Sequence, residues 1–186
     1  PDVDFQVDPG GRFQVKKPGP RFAEEARAAF SDAWAEDPIC LFIEQGSWVD
    51  SASDKNDYLI CEYTIWNRSG QTLSGLRAGL FFDWDFPWTG STATRDRGGF
   101  NQTEGLGWMF DSAQPRYRGL AVVSPMGTTS YRYFSNPNEI FNGFTGTLKY
   151  DAMSEGFVQT LPPVAGDGSH LIATGPYTLA PDSAAR

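Results

Sequence analysis

Residues 58–85 read YLICEYTIWNRSGQTLSGLRAGLFFDWD, two long apolar-patterned runs around a polar turn. In the first run Leu59, Cys61, Tyr63 and Ile65 alternate with Ile60, Glu62, Thr64 and Trp66. β-Branched and aromatic residues at this period fit a pleated surface, so the run predicts a strand. Asn67, Arg68, Ser69 and Gly70 carry turn chemistry, because they tolerate left-handed backbone or hydrogen-bond their own chain. The chain then continues through Leu73, Leu76, Ala78, Leu80, Phe82, Trp84 and Phe86, with Gly75, Arg77, Gly79, Phe81, Asp83 and Asp85 on the other face. The simplest expectation is an antiparallel hairpin. Asp83 and Asp85, two apart on a strand, project from one face. Two like charges side by side call for a physical reason.

Composition extends this reading to the whole chain. The 186 residues suit a single large domain with a substantial core. With 20 glycines, 13 prolines and 15% aromatics, many short strands joined by tight turns are expected rather than a helical bundle. The expected fold class is all-β, an antiparallel β-sandwich of immunoglobulin-like or larger jelly-roll or supersandwich type. The formal net charge of −8 repels nucleic acid and anionic lipid, which argues against both as partners. No apolar run is long enough to span a bilayer, so membrane insertion is not expected. The chain opens at Pro1 with no signal-peptide pattern, and a fragment of a longer protein is the expectation.

Around the central stretch, Phe22, Ala26, Ala29, Phe30, Ala33 and Trp34 recur at helical spacing, predicting an amphipathic helix over 21–34 that Pro38 would end. Residues 1–38 would then be a lead-in and 39–186 the body. Ile39 to Gln45 reads as a short strand, and Gly46 to Asp57 as a polar loop whose acids lack the spacing of an EF-hand. Cys40 and Cys61 fall in neighbouring predicted strands; a bridge between them and two free thiols are both open. Phe86 to Asn101 reads as one long surface loop. Strands are expected again at Leu106–Phe110, Gly119–Ser124 and Thr128–Phe134, with turns at Gln114–Pro115 and Pro125–Gly127.

The succession YLICEYTIWNRSGQTLSGLRAGLFFDWDF, RDRGGFNQTEGLGWMFD and YRGLAVVSP, followed by FTGTLKYDAMSEG and GDGSHLIATGPYTLAP, resembles a domain of large secreted bacterial proteins. Such domains often lie downstream of a subtilisin-like protease domain. The resemblance runs from about Ile39 onward, and its most specific parts are Gly79 to Asp85 and Gly175 to Pro181. It implies secretion or a cell-surface location, and a β-rich accessory role beside other domains of the same parent chain. It also allows a peptidase-associated domain that helps to bind substrate. In that family a further strand follows the closing motif, so a strand is expected beyond Arg186, which would otherwise leave a sheet edge open to a protein partner.

The chain's chemistry is sparse. A serine-protease triad needs an imidazole beside a nucleophile. The single histidine, His170, sits in no such motif and is expected at a strand edge, and the Gly127–Ser130 segment GTTS only faintly matches a subtilisin serine loop, so no catalytic residues are assigned. Asp83 and Asp85, alone or with Asp96 or Glu104, are the one acid/base pair a glycosidase could use, but nothing in the spacing demands it. Asp83, Asp85, Asp96 and Asn101, with Asp111 near by, could supply the hard oxygen ligands calcium requires. The alternative is that the aspartates accept loop amides or pair with Arg95 and Arg97. Trp84, Trp88 and Trp108, with Tyr131 and Tyr133, are the residues for a carbohydrate-binding surface, Trp88 above all because it lies in a loop; otherwise they are core. The expected function is a non-catalytic accessory, spacer or protein-interaction domain, calcium-stabilised at those aspartates, with a carbohydrate-binding module as the alternative.

Overall fold

The computed structural model describes residues 5–7, 13–86, 94–158 and 165–186. The chain is mostly β and its sheets are largely antiparallel, as the composition implies. It divides into two compact units, Pro1–Ser74 with Tyr177–Arg186, and Gly75–Pro176.

In the first unit, strands β1 (Gln6–Val7), β2 (Gln14–Lys16), β3 (Glu24–Ser31), β4 (Leu41–Val49), β5 (Ile60–Asn67) and β13 (Ala184–Ala185) form one sheet. Its order is β1-β3-β4-β5-β13, and β2 also pairs with β3. The helix expected over 21–34 is absent, and β3 occupies its place. Helix propensity is a weak prior. The sequence EEARAAFS also divides by alternation, with Glu25 and Ala29 buried toward one face and Ala26, Ala28 and Phe30 on the other. As a strand it gains a full ladder with β4 and shorter ladders with β1 and β2. Asp32 then ties down the connection, its buried carboxylate accepting the Ile39 and Leu41 amides at 2.8 and 2.9 Å.

β4 runs on through Gly46, Ser47 and Trp48, so the polar loop begins later than the sequence suggests, at Asp50, whose Oδ1 accepts the Ser51 and Ala52 amides. Both cysteines are free and exposed. Leu41 faces Asn67 while Cys61 faces Ser47, so Cys40 and Cys61 lie toward opposite ends of the β4–β5 pair and cannot bridge.

The expected hairpin does not form. β5 pairs with β4 and β13, whereas β6 (Leu73–Asp83) joins a different sheet, so the turn after Asn67 is a crossing between sheets. Asn67, fully buried, organises that crossing. Its Nδ2 donates to the Gln71 and Leu179 carbonyls at 2.8 and 2.9 Å, and its Oδ1 accepts from the Ser69 amide and hydroxyl at 2.9 and 2.7 Å. Its main chain bonds Ser183 and Asp182.

The second unit contains a four-stranded sheet ordered β11 (Phe157–Val158), β10 (Ser130–Ser135), β12 (Gly168–Leu179) and β6. It also contains a three-stranded sheet of β7 (Asp96–Asn101), β8 (Leu106–Asp111) and β9 (Gln114–Ala121). The last part of the expected 86–101 loop is thus β7, and Gln114 opens a strand rather than a turn. The four-stranded sheet buries both faces. On one, Tyr131, Tyr133 and Ile172 pack with Phe86, Phe100 and Met109, with Leu80 and Trp84 alongside. On the other, Phe134, Leu171 and Ala173 meet Ala152 and Leu148 of helix α1 (Gly146–Ser154), and Phe81 joins them. Helix α1 lies in a segment with no predicted helix; Thr145 caps it by accepting the Leu148 amide. Arg132 holds this layer down by pairing with Glu139 and Glu155 at 2.8 and 2.9 Å.

Glycines make the close approaches in this unit possible. A Cβ on Gly98 would lie 2.6 Å from the Tyr133 ring, and one on Gly168 only 1.8 Å from the Tyr133 hydroxyl. Gly168→Ala is therefore expected to displace Tyr133 and destabilise the domain by about 2–3 kcal/mol, the cost of overpacking a core. Urea unfolding checks this, and an unchanged midpoint would show that Tyr133 moves aside freely.

Candidate functional site

Where β6, β7 and β12 begin or end, four aspartates come within electrostatic reach of one another: Asp83 at the end of β6 and Asp85 just beyond it, Asp96 at the start of β7, and Asp167 just before β12. Asp96 is fixed by its backbone, which exchanges hydrogen bonds with Gly166 (2.9 and 3.2 Å). Its side chain is 1% exposed. The Gly168 amide donates to this carboxylate, but no donor among the described residues reaches Oδ1. Burial, and then the charges of Asp167, Asp83 and Asp85, push its pKa up to about 7 against the one favourable Gly168 bond.

Asp83 is raised in the same direction, chiefly by desolvation, and is eased by Asn136. Asn136 is wholly buried and places its Nδ2 between two carboxylates, 3.2 Å from Asp83 Oδ1 and 2.6 Å from Asp167 Oδ1. Ser169 fixes the amide's orientation by donating to Asn136 Oδ1 at 2.7 Å. Asp167, Asn136 and Ser169 escaped the sequence reading. Their only signal was the acidic Gly166-Asp167-Gly168 lead into a long apolar strand, and Asn136 had none.

Asn101 does not join the cluster. It stands at the far end of β7, where its Oδ1 accepts the Thr103 and Glu104 amides at 3.0 and 3.2 Å. Asp111 faces Asp96 across β7 and β8, but its oxygens accept from Ala113 (2.9 Å) and Arg95 (3.2 Å). The oxygen donors around Asp96 suit a hard cation such as calcium and not zinc. As they stand, no three histidine, cysteine or acidic side chains among the described residues converge closely enough to hold a metal. Side-chain rotation about Asp96 would have to complete a coordination sphere.

His170 lies near the start of β12, but it is no exposed edge residue: β12 is an inner strand flanked by β10 and β6, and the side chain is fully buried. The Trp84 indole donates to its Nε2 at 2.9 Å, which puts the imidazole proton on Nδ1, 3.4 Å from the Tyr131 hydroxyl. Burial lowers its pKa to about 4. The Ser130 hydroxyl, in the GTTS segment, lies 2.7 and 2.8 Å from the Ala152 and Gly156 carbonyls, which share its one proton. Neither group is arranged as a nucleophile and base.

The tryptophans part company. Trp84 is held by His170 and stacked on Phe82, with Arg118 on its ring. Trp108 lies over Gly99 on the other face of its sheet from Met109, beside Phe110 and, beyond it, the exposed Tyr117. Tyr131 and Tyr133 are core. Trp88 lies outside the described residues. Comparison with protein-family models, with curated proteins and with solved structures finds no match to the chain.

Proposed function

We propose that this chain is a non-catalytic accessory domain of a secreted or cell-surface bacterial protein, working beside other domains of the same parent, whose Gly75–Pro176 unit is stabilised by a calcium ion at Asp96. The observation that carries the cation is the buried Asp96 carboxylate, with one oxygen lacking a donor and Asp83, Asp85 and Asp167 around it. A buried carboxylate with an oxygen lacking a donor is costly, and a hard cation seated beside Asp96 would relieve it and offset the repulsion from Asp83, Asp85 and Asp167. The locked His170 and Ser130 support the non-catalytic half of this reading. The exported location and the sandwich architecture follow from the resemblance to domains beside subtilisin-like proteases. No helix among the described residues is long and apolar enough to cross a membrane.

Thermal unfolding in excess calcium and in excess chelator tests the site. At a calcium concentration 100-fold above Kd the native state gains about 2.7 kcal/mol. That corresponds to a rise in Tm of roughly 5–10 °C. Asp96→Asn is expected to abolish the rise, and Asn101→Ala to leave it intact. Equal midpoints with calcium and chelator would remove the cation from the proposal.

A further inference from the structure

We infer a second site, in the Pro1–Ser74 unit: a groove on its sheet that binds a neutral saccharide. This inference is independent of the calcium reading. The groove follows from register. Gln14 faces Arg27, Arg27 faces Gly46, and Gly46 faces Glu62, so these four residues form one row across β2, β3, β4 and β5. The adjacent row is Ala29, Glu44 and Thr64. Small residues, Ala29 and Gly46, thus occupy the middle of the face, with longer polar side chains on both sides. A cavity of about 300 Å³ results, lined by these two rows and by Trp48. That is the lower end of the range for small-molecule sites.

Trp48 supplies the aromatic wall. A Cβ on Gly46 would meet its six-membered ring at 2.5–3.3 Å, so the ring fills the space that the glycine leaves. Phe22 supports it at a centroid distance of 6.3 Å. The neighbouring Trp66 is already covered by the Arg68 guanidinium at 4.7 Å, and its N–H is bonded to Glu44 at 2.8 Å.

The polar groups select the ligand class. Arg27 and Gln14 donate from one side of the groove; Glu44 accepts from the strand next to Arg27, and Glu62 and Thr64 from two strand spacings, about 10 Å, beyond Arg27. Glu62 is paired with Arg186 from outside the groove, so the lining charges that remain are one of each sign, Arg27 and Glu44. A cationic amine would meet Arg27, and an anion would meet Glu44 and Glu62. A polyhydroxylated ring satisfies both sides, because each hydroxyl both donates and accepts while the C–H face of the sugar rests against the indole.

The probes are neutral hexasaccharides of glucose, xylose and N-acetylglucosamine, titrated into the intact chain by calorimetry and tryptophan fluorescence. At least one should bind. Arg27→Ala and Glu62→Gln, both at sites outside the core, should weaken it by about tenfold or more, which is about 1.4 kcal/mol. Trp48→Phe should weaken it while the fold is retained. Absence of binding by all three sugars overturns the inference. So does binding that survives Arg27→Ala and Glu62→Gln but is lost in Trp108→Ala, which would move the site to the other unit.

Discussion

Asn67→Ala is expected to destabilise the Pro1–Ser74 unit more than any other single truncation of a polar side chain. The Asn67 side chain is completely buried and all of its hydrogen-bonding capacity is used, by the carbonyls of Gln71 and Leu179 and by the amide and hydroxyl of Ser69. Alanine would leave the Leu179 carbonyl, which lies 112 residues away in sequence, without its donor. Each buried group so orphaned costs about 1–3 kcal/mol. The Leu179 carbonyl is the buried acceptor so orphaned, since the exposed Gln71 carbonyl keeps the Ser69 hydroxyl at 2.9 Å; the loss should be roughly 2–3 kcal/mol, lowering Tm by about 5–10 °C. Asn67→Asp is the sharper test, because it keeps the size and the Ser69 contacts but replaces the donor Nδ2 with an acceptor. It should be as damaging as alanine. A milder Asp variant would mean that Ser69, and not the tie to Leu179, is what fixes the crossing.

Asn67 also shows where the sequence could be read and where it could not. Residues 67–70 were legible as a turn, because turn chemistry is local. What the turn connects is not local. The hairpin expectation assumed that consecutive strands pair, whereas β5 finds β4 and β13, and β6 finds β12. Strand positions in the second unit were partly legible by alternation: β8 and β10 fall close to the expected spans, while β9 shares only Gly119–Ala121 with the expected Gly119–Ser124. β3 was not, since EEARAAFS satisfies both the helical and the strand period and only its neighbours decide between them. The same limit applies to the acidic cluster. Asp83 and Asp85 stood out as two like charges on one strand face, and Asp96 as a further acid in the segment expected to be a loop. Asn136 and Asp167 gained their roles only when β10 and β12 brought them to the same place. Likewise Gly46 gave no sign that Trp48 would cover it.

The pH dependence of stability should expose two buried groups that titrate against each other. His170 is held neutral by burial, with a folded pKa of about 4 against an ordinary value of 6.5. Between those values the unfolded chain binds a proton that the folded chain does not, so stability falls as pH drops from about 6.5 to about 4. The full effect is about 3 kcal/mol. Asp96 runs the other way. Its folded pKa of about 7 lies above the ordinary 3.8, so its contribution is complete below pH 4 and is lost as pH rises through 7. That effect is about 4 kcal/mol, and Asp83 adds to it with the same sign. In chelator the wild-type chain should therefore show a nearly flat profile from pH 4 to 6.5, by cancellation. Asp96→Asn removes the opposing member. The variant should be more stable than wild type at pH 7.5 in chelator, because a buried charge with one oxygen lacking a donor is gone. It should then lose up to about 3 kcal/mol between pH 6.5 and 4, as His170 is opposed only by Asp83. Tyr63, Tyr131 and Tyr133 are all raised above 10 and lie outside this window. Urea unfolding of both proteins from pH 4 to 8 decides the matter. A flat profile for Asp96→Asn would show that His170 accepts a proton within the folded core. A Trp84→Phe variant, which removes the indole donor at 2.9 Å, should raise the His170 pKa toward its ordinary value by freeing Nε2 and so shrink the acid loss. The cancellation is then a property of two sites at opposite ends of Gly168, Ser169 and His170: one carboxylate held by the first residue's amide, and one imidazole held by the last residue's place in the core.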